Sequence, residues 1–263
     1  MPDFADLITG FLSEENGSLT LDAPESWSQG RTLYGGMSAA LCLVAAQKEI
    51  GEDIPLKSAL VTFVGPSGGV VKGDATILRK GRSTVIADTT LNTDAGIGTR
   101  ATFVFGRDRD SKIVQSKLDM PDVAAPEDCP DLWGGRRRAT FANNFDFKRA
   151  GGKIPMSGDA EGELLVWVRH NTTPGPNHTA ALFAIADALP PASITMFKEP
   201  APISTITWSM EILAPDFVVN NDWFLFESVA EFSAGGYSSQ AMRLWDRNGR
   251  PLIAARQNVA VFG

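Results

Sequence analysis

Residues 65–69 read Gly-Pro-Ser-Gly-Gly, a match to the pattern in which a serine on a sharp strand-to-helix turn attacks a carbonyl. That chemistry needs a helix after the serine, and a histidine and a carboxylate that reach it. Ser58 to Val64 (SALVTFV) is β-rich and suits the left flank. Val70 to Leu78 (VVKGDATIL) is rich in Val, Ile and Thr and reads as a second strand. The motif then joins strand to strand, where Pro and Gly are ordinary turn chemistry. Two histidines, His170 and His178, are all the chain offers as a base. Ser67 is therefore expected to be a turn residue. The two cysteines, Cys42 and Cys129, lie in unrelated contexts, so no metal site is expected.

A different opportunity lies at Gly35-Gly36. These glycines open Gly35 to Ile50 (GGMSAALCLVAAQKEI), a helix that is nearly all apolar in its first three turns. A helix N-terminus offers free backbone N–H groups, and glycine lets a ligand approach them closely. Gly35, Gly36 and Met37 are thus candidates to hold a carbonyl oxygen, although the glycine pair could equally serve close chain packing.

The elements that would position such a site occur twice. After the first helix come four β-rich stretches, the last ending Phe103-Val104-Phe105-Gly106. His178 to Leu189 (HTAALFAIADAL) reads as a second apolar helix, stopped by Pro190 and Pro191. Four β-rich stretches follow again: Ile203 to Leu213, Trp223 to Phe232, Tyr237 to Trp245 and Leu252 to Phe262. SAALCLVAA aligns over TAALFAIAD, and the strand after each helix ends in a proline, Pro66 or Pro215. The order is a duplication with copies about 150 residues apart. A helix apolar on every side must be buried. A short helix followed by long antiparallel strands is buried only if the sheet curls around it. The class is α+β: two antiparallel sheets, each wrapped around a long central helix, paired edge to edge. Units of 1–110 and 140–263 are expected, with a linker over 111–139. Phe141 to Arg149 and Glu163 to His170 are read as further strands of the second unit.

With 263 residues, 43% apolar and 21% charged, the chain can build a sizeable core. A net charge of −7 argues against a general nucleic-acid binder. Met1 to Glu15 has acids and no basic start, so it does not read as a signal peptide, and no apolar run reaches membrane-spanning length. A cytoplasmic protein fits.

GRTLYGGMSAALCLVAAQ (30–47), LLVWVRHN followed by HTAALFAIAD (164–187), ISTITWSM (203–210) and LIAARQNVAVF (252–262) together resemble the double-hotdog acyl-CoA thioesterases. The resemblance spans nearly the whole chain. It implies a double hotdog that hydrolyses acyl-CoA with water activated by an Asp, a Thr and a Gln. The matching positions are Asp187, Thr205 and Gln257, with Ser204 an alternative to Thr205. The family often carries an acidic residue after the Gln; here Asn258 stands there. The implied substrate is an acyl-CoA of unspecified chain. No metal or redox cofactor is implied, and a homodimer or higher homo-oligomer of the double unit is left open.

The duplication provides an internal comparison. Aligning the helices puts Asp187 on Ala46, aligning the proline-ended strands puts Thr205 on Leu56, and aligning the two Val-Phe-Gly ends puts Gln257 on Arg100. One composite site follows: a carbonyl held at Gly36 and Met37, and water activated by Asp187 from the other half. An acid in an otherwise apolar helix is costly unless employed, and burial would raise its pKa toward that of a working base. Asp187 could instead be solvated at its helix end, Thr205 an ordinary strand threonine and Gln257 an edge residue. Arg136 to Arg138, and Arg79, Lys80 and Arg82, read either as solvated charges or as partners for coenzyme A phosphates. The alternatives to a thioesterase are a non-catalytic acyl-CoA-binding hotdog and a hotdog hydratase or dehydratase. The latter chemistry commonly uses a His beside an acid, and neither His170 nor His178 has an obvious carboxylate neighbour.

Overall fold

The architecture is that of a computed structural model, which describes residues 2–13, 18–214 and 216–262. Pro215 and Gly263, used above to align the halves, lie outside the described residues. The chain runs α1 (Phe4–Leu12), β1 (Leu19–Asp22), β2 (Ser28–Gln29), β3 (Thr32–Leu33), α2 (Gly35–Ile50), β4 (Leu56–Phe63), β5 (Val70–Lys80), β6 (Thr84–Thr93) and β7 (Gly96–Gly106). After the linker come β8 (Phe145–Gly152), β9 (Glu163–His170), α3 (His178–Ala186), β10 (Ile203–Ile212), β11 (Phe224–Ala234), β12 (Tyr237–Asp246) and β13 (Pro251–Val261).

The two sheets expected to pair edge to edge do so, and the result is one continuous sheet. A single 11-stranded antiparallel sheet runs β1-β5-β6-β7-β4-β10-β13-β12-β11-β9-β8. The halves fuse where β4 pairs with β10, from Thr207 opposite Thr62 to Glu211 opposite Ser58. Each half alone would leave that strand as an edge with unpaired N–H and C=O groups, and the pairing satisfies both edges.

Both central helices lie in the core. From Ala39 to Ala46 no side chain of α2 is more than 1% exposed, as an all-round apolar helix requires. It stops at Gly51, whose φ of 65° is the left-handed cap conformation, and the Gly51 N–H donates to Gln47. The second helix is not long. It ends at Ala186, because Asp187 leaves helical geometry at φ −118°, ψ 8° and Pro190 and Pro191 follow. The strand expected from Phe141 begins only at Phe145; Thr140–Asn144 is a 3-10 turn.

The linker covers the outer face of the C-terminal half-sheet. Trp245 Nε1 donates to the Leu118 carbonyl at 2.8 Å and Trp167 Nε1 to that of Ala124 at 2.9 Å. Cys129, Leu165, Trp167, Trp223, Leu225 and Trp245 form a second, smaller core there. Helix α1, fixed by a reciprocal capping box between Asp3 and Asp6, inserts Phe4 and Phe11 into the main core.

The halves also share irregularities. β10 carries a bulge between Thr205 and Thr207 against β13, and β4 carries one between Leu56 and Ser58 against β7. Superposing the bulges puts Thr205 on Leu56, as the sequence alignment has it. It also puts Gln257, opposite Trp208, on Phe103, opposite Ala59. The alignment of Gln257 with Arg100 is therefore wrong by register. Gln257 faces inward at 5% exposure, whereas Arg100 faces outward and pairs with Asp88. Arg100 and Phe103 are three positions apart, and an odd shift along a period-2 strand moves a residue to the other face.

Candidate active site

Asp187, Gln257, Thr205 and the start of α2 come together on the inner face of the sheet. Asp187 caps the C-terminus of α3. Gln257 comes from β13, and its Nε2 donates to Asp187 Oδ1 at 2.7 Å. The Gly36 backbone N–H is turned toward the same carboxylate from the other half of the chain and favours its charged form. Thr205 lies further out, its Oγ1 a long 3.5 Å from Gln257 Oε1.

The bulge decides which hydroxyl faces the site. Along β10, Trp208, Met210 and Ile212 point inward. Simple alternation would bring Ser204 and Ile206 to that face. The extra residue shifts the phase, so Thr205 reaches Gln257 while Ser204 is exposed.

Asp187 retains some accessible surface, yet dense protein surrounds its carboxyl group and solvates the charge poorly. Burial pushes its pKa up to about 7 from 3.8, and the bonds from Gln257 and Gly36 pull it partly back. The group thus titrates where a general base must work.

Gly35 is required by contact. A Cβ there would lie 2.6 Å from Asp187 Oδ2 and 2.9 Å from the Phe63 ring. At Gly36 a Cβ would strike the Tyr34 side chain at 2.7 Å. Met37 is fully buried, and its N–H donates to the Tyr34 carbonyl at 3.1 Å. That amide is already used, and the Gly36 amide is turned toward Asp187.

Sequence reasoning missed Tyr34 and Phe63. Tyr34 precedes α2, is 1% exposed, and donates its hydroxyl to the Ala184 carbonyl at 2.7 Å, in the turn that leads to Asp187. Burial, then the charge of Asp187, raises its pKa well above 10.0, so it remains a donor. Its ring stacks on Phe141 with centroids 4.3 Å apart. An aromatic beside a glycine pair was a visible signal; its partner 150 residues away was not.

The other candidates lie elsewhere. Ser67 is 1% exposed. Its hydroxyl meets Thr99 Oγ1 at 3.2 Å, its N–H donates to Thr32 Oγ1 and its carbonyl accepts from Leu33. It joins β4 to β5 with no helix after it. His170 is buried among Phe4 and Phe145 and bonded to the Ala181 carbonyl at 3.0 Å; burial lowers its pKa to about 4. His178 Nδ1 lies against the Val219 backbone. Lys80 pairs with Glu52, Arg138 bonds Asn143, and Arg136 and Arg137 are exposed.

Two family matches together span most of the chain. Residues 23–106 match the acyl-CoA thioesterase N-terminal domain and residues 122–261 the acyl-CoA thioesterase C-terminal domain. A search of curated proteins finds no match. Among solved structures, a conserved protein of unknown function with a hot dog fold from Alicyclobacillus acidocaldarius is 25% identical with a TM-score of 0.87, covering 99% of this chain and 98% of its own. The tesB protein of Mycobacterium avium subs paratuberculosis is 16% identical with a TM-score of 0.79 and 100% coverage of both chains. An acyl-CoA thioesterase II from Mycobacterium marinum is 18% identical with a TM-score of 0.72, covering 89% of this chain and 92% of its own. The hotdog architecture and the two domain matches agree over both halves: the chain belongs to the acyl-CoA thioesterase family.

Proposed function

We propose that this protein hydrolyses an acyl-CoA thioester to the free acid and coenzyme A, with Asp187 as the general base. Water attacks the thioester carbonyl carbon while Asp187 accepts its proton. The tetrahedral intermediate then expels the coenzyme A thiolate, and the proton held on Asp187 returns to the sulfur. Gln257 orients Asp187 through its amide, and Thr205 orients Gln257.

The observation that carries this reading is the buried Asp187 carboxyl, bonded to Gln257 Nε2 and titrating at about 7, with the Gly36 N–H turned toward it. The Gly36 N–H turned toward Asp187 has a mechanistic use. As Asp187 takes up the proton, its demand for that N–H falls. The developing oxyanion at the start of α2 gains a donor at the same moment, together with the adjacent Gly35 amide and the helix dipole. Phe63 and Tyr34 supply an apolar wall that keeps the carboxyl weakly solvated.

Thiol release measured across a panel of acyl-CoA chain lengths tests the reading, with Asp187→Asn as the comparison. Turnover by the parent and its loss in the folded variant support it. Saturable acyl-CoA binding without thiol release by the parent would mark a non-catalytic binding protein.

A further inference from the structure

Gln240 is a fully buried amide that the mechanism above does not use. It lies on β12 directly opposite Gln257 of β13. Facing residues of an antiparallel pair stand side by side on one face of the sheet. Gln240 Oε1 accepts the Ala192 N–H at 2.6 Å and the Ser228 hydroxyl at 3.2 Å, and its Nε2 meets Ser193 Oγ at 3.3 Å. Ala192 begins the 3-10 turn Ala192–Met196 and closes a short arm that starts at Asp187 and contains Pro190 and Pro191. Thr195 fastens the same turn by donating its hydroxyl to the carbonyls of Glu161 and Ala192.

We infer that Gln240 is a positioning residue: it clamps the arm carrying Asp187 to the strand beside Gln257, and so sets the geometry of the Asp187–Gln257 hydrogen bond. This rests on the thioesterase reading above for its functional consequence, though not for its structural one. The arm is short and its prolines restrict it, so fixing Ala192 limits where Asp187 can sit. The clamp lies on the strand next to Gln257, so both partners share one frame. A buried polar network of this kind holds its geometry only when every member is satisfied.

The test is Gln240→Met, which fills similar volume without hydrogen-bonding. Turnover, KM and the titration of the Asp187 carboxyl by NMR are measured well below the melting temperature. The expected result is a kcat lowered by about tenfold or more, a KM within about twofold and a displaced Asp187 titration midpoint. A filler role would lower only the melting temperature. A folded Gln240→Met with unchanged kcat and an unchanged midpoint overturns the proposal. If Gln240→Met does not fold, Ser193→Ala carries the test, since it removes one bond of the clamp. The same displaced midpoint supports the proposal there, and an unchanged one overturns it. The titration reads the clamp even if Asp187→Asn proves fully active, which would instead sink the thioesterase mechanism.

Discussion

Gln257 and Phe103 occupy the same place in the two halves of the sheet. Each sits two residues before the partner of the position where the matching bulge begins, and each faces the core. The second half presents an amide to a carboxylate there; the first presents an aromatic ring that packs 6.2 Å from Phe183. The helices differ in the same sense. Where Gly36 meets Asp187 in one place, Asn177 Nδ2 donates to Gln47 Oε1 at 2.8 Å in the counterpart. That end is closed by a structural amide pair.

The chain should therefore have one working site. Ala46→Asp should not add activity, because Leu56 and Phe103 are apolar and Asn177 is already bonded to Gln47. A double variant, Ala46→Asp with Asp187→Asn, should be as inactive as Asp187→Asn alone. Recovered thiol release in that double variant would contradict the asymmetry.

Asp187→Asn should cost about 10² to 10⁴ in kcat while acyl-CoA still binds. Thr205→Ala and Gln257→Ala should each cost less. The triple variant should lose far less than the product of the single losses, because the three act as one hydrogen-bonded unit.

The same group makes activity and stability oppose each other. In the parent, kcat should rise with pH through about 7 as Asp187 loses its proton. Its folded pKa lies above the unfolded 3.8, so the fold holds the extra proton between these values. The stability it contributes is complete below about pH 4 and is lost as pH rises through about 7. Asp187→Asn should then match the parent in denaturant unfolding at pH 4 and exceed it at pH 8.

His170 acts with the other sign. Its folded pKa of about 4 lies below 6.5, so the unfolded chain binds the extra proton in that window. Its contribution is present above pH 6.5 and is lost as pH falls through about 4. His170→Gln should flatten the acid limb of the stability profile by up to about 1.4 kcal/mol per pH unit. An unchanged slope would mean that another group sets that limb.

Two substitutions separate the site from the turn. Gly35→Ala should lower turnover at least about tenfold, since its Cβ would displace the carboxylate that sets a near-attack geometry. Gly10→Ala, with nothing within 4 Å, is the neutral control. Ser67→Ala should leave turnover within a few-fold and cost about 1 kcal/mol of stability for the lost Thr99 bond. Labelling of Ser67 by a serine-directed inhibitor would revive the hydrolase motif.

Helix α2 was legible because burial on all sides demands an unbroken apolar run, and Gly51 supplies its stop. The β-rich stretches of both halves were legible because composition and turn residues bound each strand. The residues at 187, 205 and 257 stood out through resemblance and through contrast with the first half. What was not legible depends on contacts far apart in the chain. The edge-to-edge pairing of the halves was expected, but not that β4 and β10 make it, because edge strands take whatever partner the other half presents. A single bulge selects Thr205 over Ser204, and the backbone register, not the residue types, puts Gln257 on Phe103 rather than Arg100. The bond from Gln257 to Asp187, the approach of the Gly36 N–H to that carboxylate, and the bond from Tyr34 to Ala184 join segments that only the closed fold brings within reach. Residue type fixes which chemistry a side chain can perform; its pKa and its partner are set by what the rest of the chain packs against it.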